Sequence, residues 1–79
     1  MPTVMRVGPY RLFFFSNEGR EPAHIHVQAG SSEAKFWLSP VALASNRGFK
    51  GHELREIEDI VRANVATLQG AWDAYFRQP

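Results

Sequence analysis

The hydrophobic period of this chain changes once, and that change constrains its fold more than any other feature. Up to Leu38, apolar and polar residues largely alternate, as in half-buried strands. From about His52 to Phe76 the apolar residues recur at steps of three and four. Leu54, Ile57, Val61, Val65, Leu68, Trp72 and Tyr75 then form one helical stripe. Strands followed by a helix predict a two-layer α+β domain covering residues 1–79. The expected architecture is a four- or five-stranded antiparallel sheet with one long C-terminal helix packed on one face.

The first two strands are expected at Thr3–Val7 and Tyr10–Phe15, joined by Gly8-Pro9. A glycine-first two-residue loop suits a type II′ hairpin, because glycine supplies the positive φ. That loop would set Val7 opposite Tyr10, Arg6 opposite Arg11, Met5 opposite Leu12 and Val4 opposite Phe13. Met5, Val7, Tyr10, Leu12 and Phe14 then form the core face, with Val4, Arg6, Arg11, Phe13 and Phe15 on the other. Ser16 to Pro22 is polar and reads as a loop. Gly30-Ser31-Ser32 and Asn46-Arg47-Gly48 read as turns. Val41–Ala44 fits either a fifth strand or a helical turn, since four residues do not fix a period. In the helix, Gly70 is the position expected to bend or break it, at a cost of about 1 kcal/mol. A continuous helix of this length would span roughly 37 Å and overhang the sheet. Trp72, Tyr75 and Phe76 would then offer a partner surface, unless they fold back onto the strands.

Glu21-Pro22-Ala23-His24-Ile25-His26-Val27 is the stretch richest in chemistry. Pro22 favours an extended start, and β-branched Ile25 and Val27 suit a strand. Alternation puts His24 and His26 on one face. If Ile25 and Val27 join the core, the bare face collects Arg6, Arg11, Phe13, His24, His26, Lys35 and Trp37. Cations interleaved with aromatics can stack unpaired bases and neutralise phosphates. Two imidazoles beside Arg11 and Lys35 could also cleave RNA, one as base and one as acid, with a cation steadying the phosphorane. The bland reading is a solvated strand face, or aromatics buried in a dimer or against a protein.

Composition narrows these choices. The 79 residues are 44% hydrophobic, ample for a folded core, and contain no cysteine, so thiolate chemistry is excluded. A net charge of +1 favours a protein partner over nucleic acid for the surface as a whole. The longest apolar run, Leu12–Phe15, is too short to span a bilayer, and no signal-peptide pattern opens the chain. A cytoplasmic protein without membrane contact is expected. Zinc asks for three or four ligands. The histidine pair supplies two, and Glu21, Glu33 and His52 have no fixed geometry, so no metal site and no cofactor is assigned.

Several segments together resemble a small bacterial family, domain of unknown function 4160. They are Met1–Val4, Tyr10–Gly19, Glu21–Val27, Ala34–Leu38, Asn46–Phe49 and Glu53-Leu54. Ala23 stands where the family tends to have a second proline, and Gly51 where its helix usually opens on a capping serine. The resemblance implies the toxin half of a type II toxin–antitoxin module, neutralised by a small antitoxin protein. RNA is the target suggested by analogy with other such toxins. The candidate catalytic residues are His24, His26, Arg11 and Lys35. Arg6, Phe13, Glu21, Trp37 and Trp72 are the candidate binding residues. A non-catalytic interaction module and a metal-binding accessory protein are the alternatives.

Overall fold

The computed structural model describes residues 3–77. Met1 and Pro2, part of the family-like opening, lie outside them. Five strands run in chain order: β1 (Thr3–Val7), β2 (Tyr10–Phe13), β3 (His24–Ala29), β4 (Ser32–Leu38) and β5 (Val41–Arg47). They form one antiparallel sheet in the order β1-β2-β3-β4-β5. Two helices follow, α1 (Gly51–Ala63) and α2 (Val65–Phe76). The expected α+β layering and five-stranded sheet are therefore present, but the single long helix is not.

The first hairpin has the expected register at Val7–Tyr10, Arg6–Arg11 and Met5–Leu12, with Gly8 at φ +55°. Thr3, not Val4, stands opposite Phe13, because a bulge occupies Val4. The bulge turns Val4 toward the core, where its apolar side chain is partly buried. The segment after Pro40 resolves as a seven-residue strand. It extends through Asn46 and Arg47, which were expected in a turn. The reversal comes instead at Gly48, at φ +99°.

One face of the sheet supplies Tyr10, Leu12, Ile25, Val27, Ala34, Phe36 and Leu38 to the core. The helices close it with Ile57, Val61, Leu68 and Trp72, all buried. Burying each such side chain contributes roughly 1.5–3 kcal/mol, which holds the helical layer in place. At the helix start, the backbone N–H of Lys50 donates to Glu53 Oε1 at 2.8 Å, so the cap lies one residue before Gly51.

The helical break falls at Asn64, not Gly70. Asn64 takes φ −116° and ψ 13°, outside helical values, and its side-chain amide donates to the Ile60 carbonyl at 2.8 Å. Asparagine competes in this way for backbone partners and favours helix ends. Gly70 lies inside α2 with open space around it. Because the chain turns at Asn64, α1 packs over β4 and β5 while α2 packs over β3 and β4. Trp72 is thus folded onto the core at 5% exposure instead of overhanging, and Tyr75 alone of the three terminal aromatics is exposed.

Candidate functional site

His24 and His26 do share a face, as alternation along β3 requires. Their ring centroids lie 5.2 Å apart, edge to face. The face is not bare at that point, however. His24 is 0% exposed and His26 7%. Two things cover them. Residues 14–23, between β2 and β3, fold back across the ends of the strands and bring in Phe15 and Glu18. From α2, Trp72 places its indole 4.8 Å from the His24 ring. The expectation that both rings stand on a bare face fails because this loop is long enough to return over the sheet and carries side chains with partners there.

Glu18 is the residue that joins the pair. Its Oε2 lies 3.0 Å from His26 Nε2, which donates to it, and its Oε1 lies 3.0 Å from His24 Nε2. The backbone N–H of Phe15 donates to Oε1 at 2.9 Å. Burial pushes the Glu18 carboxyl upward, while the hydrogen bonds from the Phe15 N–H and His26 pull it down. The net shift is downward, favouring the carboxylate. Apart from its place in the Ser16–Gly19 turn ahead of the His-x-His strand, nothing in the sequence singles out Glu18 over Glu21 and Glu33, which are closer to the histidines or to their expected strand partners.

The hydrogen bonds of His24 are informative about its proton. Nδ1 lies 3.0 Å from the Pro22 carbonyl, which can only accept, so Nδ1 carries the proton. In the neutral ring, Nε2 then presents a lone pair toward Glu18 Oε1. Two acceptors face each other across 3.0 Å, out of line for a hydrogen bond. His26 has a related feature. Its Nδ1 is buried without a hydrogen bond, 3.5 Å from Glu33 Oε2. One ligand atom from each of Glu18, His24 and His26 can be chosen so that all lie within 4.8 Å of one another. These three residues could hold a metal ion.

The other candidate residues surround this cluster. Phe13, opposite His26 on β2, is buried and stacks on its ring at 5.3 Å. Arg11 lies over the Phe13 ring at 4.3 Å and donates to Thr3 Oγ1 and Gln28 Oε1. On β4, Lys35 stands opposite His26 and Trp37 opposite His24. The Lys35 ammonium is 4.5 Å from the Trp37 ring and 2.6 Å from Glu21, so Glu21 serves as its ion-pair partner. Arg6 is exposed opposite Arg11. Trp72 belongs to the buried side of the cluster and not to a free surface. His52 is exposed at the start of α1. Beside His26, an open pocket of about 190 Å³ is lined by Glu33, Ala34, Ser45, Asn46 and Arg47.

The family model described as "Domain of unknown function (DUF4160)" matches residues 10–73, from β2 into α2 and across the whole cluster. No curated protein and no solved structure gives a match. Among the described residues, no helix is long and apolar enough to cross a membrane.

Proposed function

This chain belongs to the DUF4160 family, and we propose that it is the toxin component of a two-protein toxin–antitoxin module acting on RNA. The observation that carries the reading is the grouping of Arg6, Arg11, Lys35 and Arg47 on the sheet face that holds the histidine cluster and its pocket. Residues 1–49 contain five of the nine basic side chains and three of the eight acidic ones; Glu18 and Glu33 lie against His26 and Glu21 pairs with Lys35, which leaves Arg6, Arg11 and Arg47 to meet a phosphate backbone. Such a face attracts a phosphate backbone although the whole chain is nearly neutral. His26, at the edge of the pocket, then meets the bound strand, with Glu18 fixing its ring.

A second feature supports the antitoxin. β5 is an edge strand of seven residues without lysine or proline, and its Leu43 is 44% exposed. Although its ladder is interrupted at Ala44, an edge strand of this length can accept a strand from a partner. An antitoxin that pairs with β5 would lie beside the Arg47 side of the pocket and deny RNA access to it.

The test is induced expression in a bacterium, alone and together with the protein encoded beside it. Growth arrest relieved by the neighbour, and loss of intact RNA in arrested cells, is the expected result. Normal growth at high levels of folded protein would refute the toxin reading. Arrest with intact RNA would refute the RNA target.

A further inference from the structure

We propose that Glu18, His24 and His26 form a binding site for a divalent transition-metal ion of the zinc class. The inference stands on the cluster's geometry, independent of the toxin reading. Among the described residues, two buried side-chain atoms lack a hydrogen-bond partner: His24 Nε2 and His26 Nδ1. A metal accounts for both. His24 keeps its proton on Nδ1, bonded to the Pro22 carbonyl, and its Nε2 lone pair meets the ion. His26 takes the other tautomer, releasing Nε2 as a ligand and moving its proton to Nδ1. There Glu33 Oε2, now at 3.5 Å, becomes the acceptor. The switch is a tautomeric one, with no net gain or loss of protons.

The donor set is the right kind. Two imidazole nitrogens and one carboxylate, with positions left open, occur in catalytic zinc sites and in non-haem iron sites. Bonds of about 2.1 Å to His24 Nε2 and Glu18 Oε1, whose separation is 3.0 Å, set an angle of about 90° at the ion. The two atoms therefore suit adjacent coordination positions. Each ligand also has an outer partner: the Pro22 carbonyl for His24, Glu33 for His26 and the Phe15 N–H for Glu18. Outer partners of this kind orient metal ligands and fix their tautomers. The remaining positions open past Glu18 and His26, whose side chains are 15% and 10% exposed, whereas His24 is sealed by Trp72. Held this way, the histidines act as ligands and not as a free acid and base.

The experiment titrates Zn²⁺, followed by calorimetry, into untagged full-length protein stripped with chelator. One ion per chain is expected, with affinity lowered more than about 100-fold by Glu18→Gln and by His26→Gln, about 10-fold by Glu33→Gln, and not by His52→Ala. Circular dichroism checks that each variant is folded. Should a ligand variant unfold, the ring resonances of the wild-type histidines decide: Zn²⁺ must shift those of His24 and His26 and spare His52. Absence of saturable binding, binding undiminished in both folded ligand variants, or a shift confined to His52 would overturn the site. Zinc binding without growth arrest would refute the toxin reading alone, and growth arrest by a chain that shows no saturable zinc binding would refute the metal site alone.

Discussion

His24 Nε2 and Glu18 Oε1 stand 3.0 Å apart in the protein interior without forming a hydrogen bond. With Nδ1 protonated against the Pro22 carbonyl, a neutral ring sets its lone pair against the carboxylate oxygen, a contact unfavourable where water barely reaches. The loop between β2 and β3 is nevertheless held in the position that creates this contact. Several interactions hold it there, among them the Phe15 N–H on Glu18, the Glu21–Lys35 pair and Phe76 of α2 against Gly19.

The last of these contacts makes Gly19→Ala a sharp test of the loop. An added Cβ would lie 2.5 Å from Phe76 Cδ1, and the Phe76 ring is itself packed against Phe14, Trp72 and Tyr75. The expected cost is about 1–3 kcal/mol in urea denaturation, the usual range for overpacking. Zn²⁺ affinity should fall with it, because the same displacement carries Glu18 away from the histidines.

Trp72→Ala separates a packing role from a partner-binding role. With its indole buried against Phe14 and His24, truncation should cost about 3–5 kcal/mol. Unchanged stability with lost antitoxin binding would restore Trp72 to the surface role its position near the chain end suggested.

Arg11→Ala and Lys35→Ala test the nucleic-acid face. If each contacts a phosphate, either change should weaken RNA binding across sequences and reduce the salt slope of log K by about 1. The Arg62→Ala variant, whose side chain is engaged with Glu58 on α1, should leave both quantities unchanged. Equal effects from all three would point to non-specific charge.

Tyr10 gives the alkaline limb of stability. Burial, then the neighbouring Glu56 and Glu53, raise its pKa above the usual 10.0. The folded state therefore binds the phenolic proton more tightly than the unfolded chain does. Its contribution is full below about pH 10 and is lost as pH rises through the folded value. In urea midpoints taken between about pH 9 and about pH 11, Tyr10→Phe should flatten the decline.

Local patterns made much of the fold legible. Alternation in Ala34–Leu38 and in Ile25–Val27 identified core-facing residues, and Gly8-Pro9 set the hairpin register as far as Met5. The helical stripe at Ile57, Val61, Leu68 and Trp72 was also visible, since it keeps its phase across the break. The break lies at Asn64, whereas the sequence predicts it at Gly70. Gly70 carries the lowest helix propensity in that segment, yet the competing hydrogen bond of Asn64 to Ile60 decided the matter. Of the site, the histidine pair followed from strand alternation. Their burial did not, because it depends on where the loop returns in space, and a polar loop has no period to read. Glu18 was hidden for the same reason: six positions before His24 in the chain, it meets both rings only once the loop closes.

The most direct test is crystallographic: crystals grown with zinc, with anomalous differences collected at the zinc edge. The expected result is one peak within about 2.1 Å of His24 Nε2, His26 Nε2 and a Glu18 carboxylate oxygen. A structure with saturating zinc and no peak among these three atoms would contradict it, leaving the cluster a buried ion-pair network that anchors the loop.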